Sequence, residues 1–414
     1  MFKFAKESLK VLTCIAAGAA GQHIMSKRKA SKNNKIVYKN YTSESYKSYK
    51  IYNNDNITEH NFLQGRLGNC NMIASMATLA GNRELYDKVV PGGQKFQITP
   101  QPNTGDPPEF VFNLYKFGKL HKVVVDEFLP TDENRLIYSK SSNGNLVGPL
   151  LEKALVKLHF NGNYEAAVGI NGNDVFTSFT NNFFEHYFSY SKDKHYINYS
   201  KSKLDDLIRH GLKTKSQMLV SFIREVPEYN LLFSHGYTLI DMKDNLVNLY
   251  NPHGNNLSIP KKIFFDNILQ LQISYFKNEV FGIPEIKTSL EFTETWSALK
   301  NNEEVLINHY NLIVEEDDTE LLINFIVKHD PAIFIRCCIF SESELQNERN
   351  KFSLNPNSFR ANLNKGKYKV LVILSESDKI ESTKLCLKYL EHGGRKFIFR
   401  LAASKQCSVE KQVE

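Results

Sequence analysis

The chain has 414 residues, 42% hydrophobic and 23% charged, with a formal charge of +7. That is too long for one ordinary core and points to a soluble globular protein of two to four domains. Its six cysteines, Cys14, Cys70, Cys337, Cys338, Cys386 and Cys407, form no Cys-x-x-Cys pair and no regular framework. A disulfide scaffold is therefore excluded, and a reducing compartment is expected.

Residues 1–55 have the character of an N-terminal extension. Lys3, Lys6 and Lys10 precede the small apolar run Val11–Gly21, which is too short to cross a bilayer. An N-terminal helix on a cytoplasmic protein fits it. A signal peptide would instead need cleavage near Ala19-Ala20-Gly21 and would make Asn40 and Asn198 glycosylation candidates. Lys27, Arg28, Lys29, Lys32 and Lys35 occur with no acidic residue among them. Such a run reads as a solvated tail, or as a contact for an acidic membrane surface. No nucleic-acid motif accompanies it, so no nucleic-acid partner is expected.

The segment Gln64-Gly-Arg-Leu-Gly-Asn-Cys70 follows the extension. Met72, Ile73, Met76, Leu79 and Ala80 then keep a period near 3.6 up to Gly81, predicting a helix that begins at Cys70. Unpaired N–H groups at a helix start favour thiolate, the reactive form of cysteine. Gly65 and Gly68 would let the backbone approach a substrate carbonyl, and the Gln64 amide with the Cys70 N–H could bind an oxyanion. Taken alone, Cys70 would also suit a buried core cysteine. Strands are expected over Phe110–Tyr115 and Val123–Val125, and a helix along Leu150, Leu151, Ala154, Leu155 and Leu158. Residues 56–170 make a first lobe.

Residues 171–288 make a second lobe, with a helix over Leu204–Leu212 and a strand over Gln217–Ile223. Tyr237–Ile240 and Leu246–Tyr250 read as a hairpin turning near Lys243. Constant-sum pairing would set His235 across from Asn251, with Cβ atoms on the order of 5 Å apart. Asn251 could then orient the imidazole of His235 as a base for Cys70. By itself His235 would equally suit a satisfied strand-end ring. From about residue 292 to 410 β-type runs take over at Leu321–Val327, Ala332–Phe340, Tyr368–Leu374 and Phe397–Leu401, with a turn at Lys365-Gly366. An antiparallel β-sandwich is the expected result. Glu315-Glu316-Asp317-Asp318 reads as a solvated turn or a regulatory acidic loop. No EF-hand loop or zinc spacing occurs in these residues.

Together, Gln64 to Cys70, Leu150-Leu-Glu-Lys-Ala154, Tyr164-Glu-Ala166, His235-Gly-Tyr237 and Asn251-Pro-His-Gly254 resemble the calpain-type cysteine peptidases in order and spacing. Asp126-Glu-Phe-Leu-Pro130 resembles the family's acidic segment ending in Leu-Pro. The resemblance covers about residues 60–255. It implies an α+β fold, a two-lobed papain-like protease core followed by an antiparallel β-sandwich. It implies Cys70 as nucleophile, His235 as general base and acid, Asn251 as its orienter and Gln64 as oxyanion donor. The implied activity is intracellular limited proteolysis of protein substrates, with a regulatory protein or membrane surface as a further contact.

Departures accompany the resemblance. Asn69 and Asn71 flank the cysteine where the family usually has an acid and a tryptophan, and His253 replaces a tryptophan beside Asn251. His253 reads as a semi-exposed packing residue or a second base. Asn61 stands where calcium-dependent members tend to place Asp, while Glu165 matches a further ligand position. No obligatory cofactor is expected, and calcium binding should be weak at most. The competing expectation is a weakly active or inert scaffold that binds partners through its sandwich. A transglutaminase-like acyl transferase suits the Gln-to-Cys spacing and Asn251 less well.

Overall fold

The computed structural model describes residues 37–40, 57–92, 109–132, 135–142, 145–188, 200–296, 305–327, 333–341, 351–352, 358–376 and 395–411. The apolar run at 11–21, the basic run at 27–35, Asn198, Cys14 and Cys386 lie outside these residues. The described residues fall into two compact units: those within 37–181 and 217–269 form one, and those within 182–216 and 270–411 the other.

In the first unit the helix Cys70–Ala77 starts where the periodicity places it and tightens into a 3-10 turn over Thr78–Gly81. Met72, Ile73, Ala74 and Met76 are fully buried, and Ala74 packs with Phe176 and Leu219. A helix buried this completely draws its stability from packing rather than from intrinsic propensity. Thr238 Oγ1 donates to the Ala74 carbonyl at 2.6 Å and Gln217 Nε2 to Thr78 Oγ1 at 2.6 Å, so the helix is pinned to two strands. The helix Val147–Phe160 buries Leu150, Leu151, Ala154 and Leu155. The strands Glu109–Lys116 and Lys119–Asp126 pair antiparallel through a tight turn at Phe117 and Gly118, both with positive φ.

The site hairpin joins Tyr237–Lys243 to Leu246–Asn251. Asp244 and Asn245, with φ of 49° and 65°, form its two-residue turn, the left-handed geometry that Asn and Asp tolerate best. Lys243 pairs with Leu246, the register slips at Ile240, and Thr238 pairs with Tyr250. The constant-sum expectation is thus corrected: the turn centres between Asp244 and Asn245 rather than on Lys243, and with the irregularity at Ile240 Tyr250 faces Thr238, where the expected register would have placed Gly236. Asn255–Pro260 adds a further strand beside Leu246–Asn251.

The second unit opens with Phe184–Phe188 paired to Ile268–Ser274 from Ser274 opposite Phe184 to Gln270 opposite Phe188. Its remaining strands form two antiparallel sheets. One orders Thr288–Trp296, Arg395–Ala403, Thr319–Val327 and Ser358–Leu363. The other orders Lys351–Phe352, Ile333–Ser341, Gly366–Glu376, Val305–Val314 and Cys407–Lys411. Tyr310, Leu312, Val370 and Val372 of one sheet share a core with Leu321, Ile323, Phe399 and Leu401 of the other. Alternate residues of these strands face inward, the period of two that half-buried strands require. Glu315–Asp318 is an exposed turn in which Asp317 accepts from the Lys365 N–H at 2.8 Å.

Candidate active site

Asn69 is the cap residue of the Cys70 helix, but its side chain makes no capping hydrogen bond. Its amide turns inward and donates to Glu152 Oε1 at 2.7 Å, while Glu152 Oε2 accepts from the Ser139 N–H at 2.9 Å. Glu152 and Asn69 are each 1% exposed, and burial pushes the Glu152 carboxyl up to about 7. These two bonds tie the residue before the cysteine to the 137–140 segment. The same segment holds the Gln64 loop, through Arg66 N–H to Ile137 O at 2.8 Å and Leu63 N–H to Lys140 O at 2.9 Å. A Cβ on Gly65 would lie 2.0 Å from the Tyr138 carbonyl oxygen. Gly65 is therefore required by this internal approach, whereas a Cβ on Gly68 would meet only ordinary contact at 3.5 Å.

Cys70 is buried, and its Sγ receives the Gly236 N–H at 3.5 Å. Burial pushes the thiol up, against backbone N–H bonds from Gly236, Asn71 and Cys70 itself that favour the anion. The expectation that the helix start would leave a thiolate is corrected on this point: desolvation of the charge outweighs the N–H groups. The chain reaches the sulfur closely because residue 236 is glycine. A Cβ there would sit 2.4 Å from Asn71 Oδ1.

His235, immediately before that glycine, is fully buried, and its Nε2 lies 2.9 Å from Asn251 Oδ1. The same Oδ1 accepts the His253 backbone N–H at 3.0 Å. A backbone N–H can only donate, so this bond fixes the amide orientation and makes Nε2 the protonated nitrogen. Nδ1 is left as the basic one. It is buried and has no hydrogen-bond partner among the described residues. Burial depresses the imidazole to about 4, with the Asn251 bond acting in the opposite direction. The His253 ring tilts against His235 with centroids 4.6 Å apart, and desolvation followed by the His235 charge lowers its pKa. His253 itself is exposed, with one ring face packed on His235.

Gln64 stands in the same loop as Cys70 and donates from Nε2 to the Leu67 carbonyl at 2.7 Å, leaving Oε1 buried with no partner among the described residues. One N–H of the amide is thus committed within the loop. Asn71 Nδ2 donates to the Ile170 carbonyl at 3.1 Å. Asn61 is fully buried; its Oδ1 accepts the Thr58 N–H at 2.8 Å and its Nδ2 reaches Ser141 Oγ at 3.3 Å. Glu165 Oε1 accepts from Tyr138 OH at 3.3 Å. Sequence reasoning had no role for Gly236 or for the Asn69–Glu152 bond. Both lie inside the motifs that carried the resemblance, and only tertiary proximity reveals what they do.

A buried thiol at a helix start, contacted by the backbone beside an imidazole that an amide orients, belongs to the thiol–imidazole–amide class of site. Residues 18–258 match the family described as calpain family cysteine protease, and the chain belongs to that family. It is 33% identical to the calpain-1 catalytic subunit of Rattus norvegicus over 216 residues, covering 48% of this chain and 28% of the relative. It is 33% identical to calpain-12 of Homo sapiens over 204 residues, 46% of this chain and 26% of that one. A 134-residue stretch, 32% of this chain, is 40% identical to the calpain-1 catalytic subunit of Sus scrofa and covers 18% of it. The chain thus spans between about a fifth and a little over a quarter of the length of these curated relatives.

Proposed function

We propose that this chain is an intracellular cysteine endopeptidase carrying out limited proteolysis through an acyl-enzyme. The observation that carries the proposal is the Asn251 bond to His235 Nε2, with Asn251 held by the His253 N–H, because it leaves Nδ1 as a lone-pair base. Cys70 Sγ attacks the peptide carbonyl and forms the thioester carbon–sulfur bond. The thiol proton passes to His235 and on to the leaving amine as the carbon–nitrogen bond breaks; His235 then takes a proton from the water that attacks the thioester and returns it to Cys70 Sγ as the carbon–sulfur bond breaks and the acid product leaves. The Cys70 N–H and the second Gln64 N–H serve the oxyanion.

The proposed organisation is lobe 56–170 with Cys70, lobe 171–288 with His235 and Asn251, and a β-sandwich over 292–410. The shared core of the two C-terminal sheets supports the sandwich. Cys70, Cys337 and Cys407 are free, which suits a cytoplasmic setting. Substrates are proteins, and no resident cofactor is assigned beyond weak calcium. A second reading, an inert scaffold, is favoured by two observations: burial raises the Cys70 thiol, and His235 Nδ1 makes no hydrogen bond to it. Time-resolved cleavage of unfolded casein by the chain and by Cys70→Ala, with and without calcium, decides between them. Cleavage lost in Cys70→Ala supports the peptidase, and no cleavage by either supports the scaffold.

A further inference from the structure

We infer that Glu152 is a positioning residue for Cys70, acting by diverting the Asn69 side chain from the cap of the Cys70 helix. The inference rests on the peptidase reading for its catalytic meaning. Asparagine at a helix cap ordinarily accepts a hydrogen bond from an N–H of the first turn, which stabilises the helix but commits that donor. Here the cap residue has the right type and makes no such bond. Its Nδ2 is drawn 2.7 Å from Glu152 Oε1, and its buried Oδ1 has no partner among the described residues. Glu152 is itself immobilised from the other side by the Ser139 N–H at 2.9 Å.

The consequence lies at the sulfur. The Gly236 N–H reaches Sγ at 3.5 Å, and the backbone N–H groups of Asn71 and Cys70 act with it in favouring the thiolate. A side chain at residue 69 that capped the Asn71 N–H, the second helical position, would withdraw that donor from the anion. Glu152 therefore exchanges helix-cap stability for a first turn whose donors serve the nucleophile. Among the described residues the Glu152 carboxyl is held by the Asn69 amide and the Ser139 N–H.

The sign of the effect separates this role from simple packing. Asn69→Ala cannot cap, whereas Asn69→Ser can cap but is too short to keep the Glu152 bond. The readout is the rate of Cys70 carbamidomethylation by iodoacetamide across pH 6–9, followed on the Cys70 peptide, with circular dichroism confirming the fold. Asn69→Ser should react roughly tenfold more slowly than Asn69→Ala, about the effect of one hydrogen bond to a charged group, with its thiol pKa displaced upward. Glu152→Ala should slow Cys70 likewise, and Glu152→Ala with Asn69→Ala should recover part of the loss. Where Glu152→Ala does not fold, the two Asn69 variants decide. Asn69→Ser reacting as fast as Asn69→Ala, or faster, overturns the inference. Alkylation is independent of turnover: the predicted order without casein cleavage would sink the peptidase reading and leave this one standing.

Discussion

Gly236 and Asn71 meet so closely that a Cβ on the glycine would lie 2.4 Å from Asn71 Oδ1 and 3.3 Å from its Cα. The contact joins the His235 segment to the first turn of the Cys70 helix and delivers the Gly236 N–H to Sγ. Gly236→Ala should push the two apart at a cost of about 1–3 kcal/mol in stability. The loss of proteolysis should be larger, on the order of a hundredfold, since misplacing reacting groups by about 1 Å has that effect. Unfolding in urea and casein cleavage measured side by side check it. Equal losses would mean that the contact is packing alone.

A division of labour is expected between His235 and Asn251. Removing the base in His235→Ala should cost roughly 10²–10⁴-fold in kcat. Asn251→Ala keeps the imidazole but removes the acceptor that fixes Nε2 as the protonated nitrogen, so measurable turnover should survive with a smaller loss. Initial rates on a fluorogenic peptide test the order. Full activity in both variants would defeat the assignment.

Much of this site was legible in the chain because its components are local. The helix start at Cys70 follows from apolar periodicity, and the hairpin from two β-type runs around Asp244-Asn245. The exact register was not legible, since the slip at Ile240 leaves no mark in an otherwise regular apolar pattern. The direction of the Cys70 shift was missed for a related reason: a helix start is visible in sequence, while the depth of burial that opposes it is tertiary. Asn255–Pro260, with three exposed residues of six, lacked the apolar content that signals a strand and forms by pairing with Leu246–Asn251.

Burial of His235 has a consequence for stability. Its folded pKa of about 4 lies below the ordinary value of 6.5, so between these pH values the unfolded chain binds the extra proton. The contribution is complete above pH 6.5 and is lost as pH falls through 4, on the order of 3 kcal/mol. Glu152, pushed up to about 7, works in the opposite sense, favouring the folded state below 4.5 and losing that advantage as pH rises through 7. The measurement is therefore the difference in unfolding free energy between wild type and His235→Gln. Wild type should lose ground relative to the variant from pH 6.5 to 4, and a pH-independent difference would refute the burial argument.

In the second unit, Arg360 Nε donates to Glu185 Oε2 at 2.9 Å, and Nη2 to Oε1, both residues being buried. Tyr187 and Tyr275 hydroxyls also donate to this carboxylate. Burial pulls the Glu185 pKa up, but the Arg360 charge and these bonds hold it below the ordinary value. Arg360→Met strands the anion and should cost about 3–5 kcal/mol. Adding Glu185→Gln, which keeps an acceptor without the charge, should recover at least half. Urea midpoints of Arg360→Met, of Glu185→Gln alone and of the double variant test the coupling, and additive losses would exclude it.

Calcium is expected to be dispensable for activity, and Asn61 carries the argument. Its neutral side chain is fully buried, with Oδ1 occupied by the Thr58 N–H and Nδ2 turned to Ser141. Using that oxygen as a ligand would release the Thr58 N–H, and no formal charge would repay the loss. Glu165 brings a carboxylate, with Tyr138 OH at 3.3 Å, but one carboxylate and neutral oxygens make a weak site for a hard dication. Casein cleavage should therefore persist in excess chelator, and calorimetric titration should show no tight binding. Asn61→Asp should strengthen binding by adding ligand charge while weakening the packing around Thr58. Tight binding by the unmodified chain, coupled to an obligatory gain of activity, would overturn this reading and place control of the Cys70 site in the Asn61 loop.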